Sequence, residues 1–268
     1  MPLKTAQAAS EKIQQMVYDV YAGGFHALQA EVTIDYTQQG RYSIFMGAQT
    51  YGMLGRLAPW NGSFNSDGWV LAERLQPEKH QSIATWRGET ETNTYLYGRD
   101  GSFISYSVEE HDKAKEVKEV EDELTQGTID AFTAGLVVFE QVAAGGKCEG
   151  SSEVFDGKRR FEQIMRDQGE EELKSSRYNI FKGKARKCTL EIKPVAGEWR
   201  EKPRGWMSIQ EQGRERGMMP TIWLAQLAAD SPAVPVRIQV KTAFGTLFMH
   251  LAEYRSGENI VVADQRGR

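Results

Sequence analysis

The chain has 268 residues, 40% of them hydrophobic and 26% charged, with a net charge of −4. That is enough apolar material for a substantial core in one or two domains, and no apolar run approaches the ~18 residues of a membrane-spanning helix. The mildly acidic balance gives no electrostatic reason to expect nucleic acid or an anionic membrane surface as partner.

At the start, Ala6-Gln7-Ala8 has the small-x-small form of an export cleavage site, without the apolar stretch that normally precedes one. Residues 1–15 are therefore taken as an N-terminal segment left from an export signal. Period-2 alternation dominates from there. Ala30, Val32, Ile34 and Tyr36 face one way and Glu31, Thr33 and Asp35 the other; after "QQG", Tyr42, Ile44, Met46 and Ala48 resume the pattern, which predicts a β-hairpin. "YGMLGRLAPW" (51–60) is apolar, punctuated by glycine, and does not alternate cleanly. "GETETNTYLYG" (88–98) predicts a strand that is polar on both faces in its first half, as suits a sheet partly open to solvent, and "GRDGS" predicts the turn after it.

"EEHDKAKEVKEVEDEL" (109–124) is charged at nearly every position and is expected to be an exposed helix or a flexible loop. Thr128 or Asp130 can cap an apolar helix over 129–143, and Gly145-Gly146 stops it. Leu190 and Ile192, then Ile222 and Leu224, mark short strands. Val234, Val236, Ile238 and Val240 lead through "AFGT" to Leu247, Met249 and Leu251, a second hairpin. Residues 256–268 are expected to form a flexible tail. The fold class is mainly β: a single domain over 16–255, in which a curved antiparallel sheet, half-open barrel or β-spiral wraps around one principal apolar helix.

Signatures of catalysis are absent: no G-x-S-x-G elbow, H-E-x-x-H, Walker loop or G-x-G-x-x-G occurs. The four histidines sit in separate segments, and His250 falls on the outward face of its strand, as a surface histidine would. Glu89 and Glu91 share a strand face among threonines and read as a solvated surface. No metal spacing appears, and no cofactor is expected. The six tryptophans fit either ordinary packing or an apolar, aromatic-lined cavity for a lipid; Leu57, Trp60, Trp69 and Trp86 are the ligand-binding candidates. Cys148 and Cys188 are the only cysteines, so they are either buried thiols in a reducing compartment or one structural disulfide in an oxidising one.

Taken in order, "YDVYAGG", Ala30-x-Val32-x-Ile34, "TYGMLGRLAPW", "LQPEKHQSIATWRG", "GTIDAFTAGLVVF", "CEGSSEVFDGKRRFE", "KCTLEIKPVAG" and "TAFGTLFMHL" resemble the bacterial envelope family called domain of unknown function 3108. The resemblance covers about residues 16–255, and its most specific element is the turn at 156–161 following a cysteine. It implies an exported, periplasmic, β-rich protein similar in shape to lipoprotein-carrier half-barrels, and it supplies no catalytic residues. It also implies that Cys148 and Cys188 are bonded, stapling a hairpin that turns at Asp156-Gly157 to the strand starting at Cys188. Arg159 and Arg160 alternate in direction there, so one is expected to turn toward a carboxylate such as Asp156. The functional expectation is a non-catalytic, monomeric periplasmic protein whose partner is a lipid, an acyl chain or another envelope protein. An apolar groove near Trp60 and Leu57 would receive it. The alternative is a hydrolase or transferase whose site the sequence does not display.

Overall fold

The computed structural model describes residues 12–199, 206–215, 217–242 and 245–262. Residues 1–11 of the expected export remnant, the "AF" of the second hairpin turn and the end of the expected tail lie outside them, whereas residues 13–15, expected to belong to that remnant, open the first strand. Among the described residues there are fifteen strands, the longer ones following the alternation of apolar and polar side chains: β1 (Ile13–Ala22), β2 (Phe25–Asp35), β3 (Arg41–Thr50), β4 (Trp60–Val70), β5 (Leu75–Trp86), β6 (Glu89–Tyr97), β7 (Phe103–Glu110), β8 (Glu116–Lys118), β9 (Gly150–Phe155), β10 (Arg159–Leu173), β11 (Gly183–Gly197), β12 (Thr221–Ala225), β13 (Val234–Thr242), β14 (Gly245–Ser256) and β15 (Asn259–Val262). The helices are α1 (Gly52–Leu57), α2 (Asp122–Thr125), α3 (Ala131–Ala143) and α4 (Trp206–Glu215).

Two meanders make one sheet, in the order β8-β7-β6-β5-β4-β3-β2-β1-β14-β13-β12-β11-β10-β9, with β15 added to β14. Within each meander successive strands pair antiparallel, most of them across short connections. The two meanders are joined by β1 with β14, in which Tyr18 lies opposite Leu251 and Val20 opposite Met249. Among the described residues β8 and β9 do not pair, so the sheet is not closed.

The expected first hairpin is present as β2 and β3, with Ile34 opposite Ile44 and Val32 opposite Met46. Its inward row enters the main core, which gathers Met16, Tyr18, Ile34, Tyr42, Ile44, Val234, Val236 and Leu251. The 129–143 segment is helical, and Asp130 caps it by accepting from the N–H groups of Phe132 and Thr133. The expectation of a sheet wrapped around this one helix is not supported. Among the described residues helices are few and short, and Leu136 is the only fully buried helical residue in the main core cluster.

Three further expectations are corrected. Residues 109–124 are neither one helix nor a loop: β7 runs to Glu110, β8 pairs Tyr106 to Val108 with Glu116 to Lys118, and α2 follows. The chain beyond Tyr254 is paired rather than loose through Val262, because Glu253 to Ser256 bond in register with Asn259 to Val262. His250 is half-buried. The 174–182 connection lies over β13 and β14, with Asn179 donating to the Val236 carbonyl at 2.8 Å and Ile180 N–H to that of Leu251 at 3.0 Å. This brings the Tyr178 ring onto His250, stacked with centroids 6.1 Å apart.

Candidate functional site

The Asp156-Gly157 turn does more than reverse a hairpin. Asp156 Oδ1 accepts from the N–H groups of Lys158 and Arg159, and its Oδ2 accepts from Arg159 Nε at 2.9 Å and Nη2 at 2.6 Å. Arg159 is the cation that turns to Asp156, while Arg160 bonds Glu153 and reaches the Glu123 carbonyl at 2.6 Å. The turn so braced abuts β6 and β7, near the opposite end of the sheet. The Tyr95 hydroxyl donates to the Asp156 carbonyl at 2.9 Å, and Phe155 packs with Tyr95, Tyr97 and Tyr106. Gly157 has φ +95°, and a Cβ there would lie 2.8 Å from the Tyr106 ring, so no other residue fits without displacement. Burial pushes the Tyr95 hydroxyl well above its ordinary pKa; burial and then the Glu91 charge push Tyr106 up to about 12.

Beside this seam opens a cleft of about 540 Å³. One wall is Ser82 of β5, Glu91 and Asn93 of β6, and Tyr106; the other is Lys158, Arg159, Glu198, Pro194, Trp199 and Met207. Arg159 stacks over Trp199 with its guanidinium 4.8 Å from the ring centroid. Glu91 and Asn93 alternate in phase with the buried Tyr95 and Tyr97, so the polar first half of β6 faces the same side as its apolar second half. Glu89 and Glu91 are exposed, as a solvated face would be; that Glu91 also borders a cleft depends on the far end of the sheet arriving there.

The tryptophan candidates separate into two groups. Trp60 and Trp86 are direct cross-strand partners, in phase with Phe64 and with Ser66 and His80, both of which face Asp130. Leu57 sits at the same rim: Thr50 Oγ1 ties Ala58 and Trp60, and Arg87 N–H meets the Pro59 carbonyl. Leu57 is 70% and Trp86 47% exposed, and α1 buries none of its residues, so the expected groove is instead an open apolar rim. Trp69 belongs elsewhere. It lies nine residues along β4, about 30 Å at 3.3 Å per residue, on the other face, under the Arg41 guanidinium at 5.2 Å.

Three cross-strand rows join rim and cleft. Trp60 pairs with Trp86 and Trp86 with Glu89; Gly62 with Ala84 and Ala84 with Glu91; Phe64 with Ser82 and Ser82 with Asn93. Each passes from apolar on β4 to polar on β6 within two strand spacings, about 10 Å.

Residues 17–252 match the family described as "Protein of unknown function (DUF3108)". The chain belongs to the DUF3108 family. This DUF3108 protein is also similar to the crystal structure of a β-barrel-like protein of domain of unknown function DUF1849 from Brucella abortus, with TM-score 0.53 and 9% identity. That likeness covers 91% of this chain and 97% of the other, and it concerns the fold. No curated protein matches.

Two buried groups of the DUF3108 protein complete the account. Cys148 and Cys188 are bonded, with α-carbons 6.1 Å apart, among Val138, Met165 and Leu224. The bond is consistent with an oxidising compartment, and among the described residues no helix is long and apolar enough to cross a membrane. Ser66, His80 and Asp130 converge: Ser66 Oγ lies 2.7 Å from His80 Nδ1 and 2.7 Å from Asp130 Oδ1. These are the residue types of a hydrolytic triad, but here Ser66 contacts both partners, is fully buried, and serves the α3 cap. Burial holds the His80 pKa below its ordinary value against the opposing charge of Asp130.

Proposed function

We propose that the protein is a non-catalytic periplasmic envelope protein that holds a lipid or acyl chain against the apolar rim formed by α1 and the Trp60–Trp86 pair. One observation carries the reading. Met53, Leu54 and Leu57 of α1 are all exposed, together with Trp86, beside the inner face of the sheet. A helix normally forms because it buries an apolar stripe; α1 presents its own outward, and exposed apolar patches on proteins mark contact sites. The buried Cys148–Cys188 bond supports the compartment.

The test is titration of delipidated full-length protein with a fluorescent fatty acid. Saturable binding is expected, and Leu57→Asp weakens it at least tenfold by placing a charge where the chain would lie. Absence of saturable binding to the wild-type protein sinks the reading.

A further inference from the structure

We infer that the seam cleft is a headgroup subsite that takes a zwitterion, an ammonium linked to a phosphate, carried by the same amphiphile. The amphiphile part of this inference rests on the acyl-chain reading above, whereas the choice of headgroup rests on the cleft alone.

The cleft has the volume of a small-ligand site, about 540 Å³. Its charges are of both signs. Asp156 and Arg159 neutralise each other, and the pair is fixed by the turn and by Trp199. Three charges remain: Lys158 on the turn, Glu198 beside it, and Glu91 on the facing wall. Glu198 N–H donates to the Lys158 carbonyl at 3.1 Å, yet among the described residues neither of these two side chains makes an ion pair. A lone anion would meet two carboxylates, and a lone cation would leave the Lys158 ammonium unanswered. A zwitterion satisfies both sets, with its ammonium toward Glu91 and Glu198 and its phosphate toward Lys158 and the unpaired N–H groups of Arg159. On the same wall Asn93 donates to Glu91 Oε1 at 2.7 Å and accepts from the Tyr106 hydroxyl at 2.7 Å, which positions the Glu91 carboxylate, and Ser82 supplies a neutral hydroxyl.

The cleft's position indicates an amphiphile. Ser82 stands between Phe64 and Asn93, and Ala84 between Gly62 and Glu91. A chain lying on the aromatic floor of β4 therefore reaches the charged wall within about 10 Å, two strand spacings. That is the separation of a phospholipid headgroup from the first carbons of its chain.

The experiment uses delipidated full-length protein and four probes with equal chain lengths where a chain is present: lysophosphatidylethanolamine, lysophosphatidylglycerol, a neutral monoacylglycerol, and chainless O-phosphoethanolamine. Lysophosphatidylethanolamine is expected to bind about tenfold tighter than lysophosphatidylglycerol. Lys158→Gln should weaken it about tenfold while monoacylglycerol binding stays unchanged, and Glu91→Gln with Glu198→Gln should erase the preference between the two lysolipids. All three side chains are exposed, and unchanged melting temperatures confirm that the variants fold. Equal binding of the two lysolipids, or insensitivity to these substitutions, overturns the headgroup assignment. Monoacylglycerol binding without O-phosphoethanolamine binding or lysolipid preference also overturns it, and leaves the acyl-chain reading standing. O-phosphoethanolamine binding without monoacylglycerol binding keeps the zwitterion site and removes the acyl chain.

Discussion

The Tyr95 hydroxyl donates to the main-chain oxygen of Asp156 across 2.9 Å and 61 residues of sequence, joining β6 to the β9–β10 turn from opposite ends of the sheet. No backbone ladder closes that gap among the described residues, so side chains form the seam. The Asp-Gly turn, the tyrosine pair and the Arg160–Glu123 bond act together there, and the cleft is the part of the seam they leave open.

Gly157→Ala should therefore destabilise the protein by more than a surface substitution does. Its positive φ and the 2.8 Å approach to Tyr106 combine backbone strain with overpacking, for a loss of about 2–4 kcal/mol. Urea unfolding measures it; a change below about 0.5 kcal/mol would mean the seam yields freely.

Replacing both cysteines by alanine removes a crosslink with a sequence separation of 40. The loop-entropy account predicts a loss of roughly 4 kcal/mol, less any relief of strain. Chemical unfolding of the variant against the oxidised wild type tests this, and equal midpoints would contradict it. Thiol alkylation of protein matured in an oxidising compartment should label neither cysteine.

Asp130→Ala removes four accepted hydrogen bonds: from the N–H groups of Phe132 and Thr133, from Thr133 Oγ1 and from Ser66 Oγ. Loss of a cap costs about 1 kcal/mol, and buried donors left unpaired add about 1–3 kcal/mol. The expected sum is about 3 kcal/mol by equilibrium unfolding, with hydrogen exchange accelerated in the first turn of α3. Unchanged exchange there would show that the cap is dispensable.

Stability should fall on acidification because of His250. Burial, then the neighbouring Arg237, lower its pKa to about 4, with Asp19 opposing. The folded pKa lies below the ordinary 6.5, so between those values the unfolded chain binds more protons than the folded one. Stability is thus fully present above pH 6.5 and declines toward pH 4. His250→Gln should flatten that part of the profile, leaving the decline due to His80. Parallel profiles for wild type and variant would refute the assignment.

Trp86→Ala and Trp69→Ala separate the two tryptophan locations. The first should weaken fatty-acid binding about tenfold and the second should leave it unchanged, since Trp69 lies on the other face beneath Arg41. Equal effects of the two would count against the rim.

Local chemistry was enough to read much of this protein from its sequence. Side-chain alternation at Ala30–Tyr36 and Tyr42–Ala48 placed a hairpin, Asp130 and Gly145 bounded a helix, and Asp156-Gly157 marked a turn, because each depends on residues only a few positions apart. The motifs also placed the chain in its family. Tertiary structure decided the rest. Alternation assigns Glu91 and Asn93 to a face of β6, but what that face meets depends on the turn at 156–159, some 60 residues on. His250 alternates outward, yet the 174–182 connection covers it through bonds to Val236 and Leu251, which no local pattern encodes. Trp60, Trp69 and Trp86 look alike as sequence; strand direction and register put two of them at one rim and the third about 30 Å away on the opposite face. Local preferences fix what each segment can be, and long-range pairing alone fixes which side chains share a site.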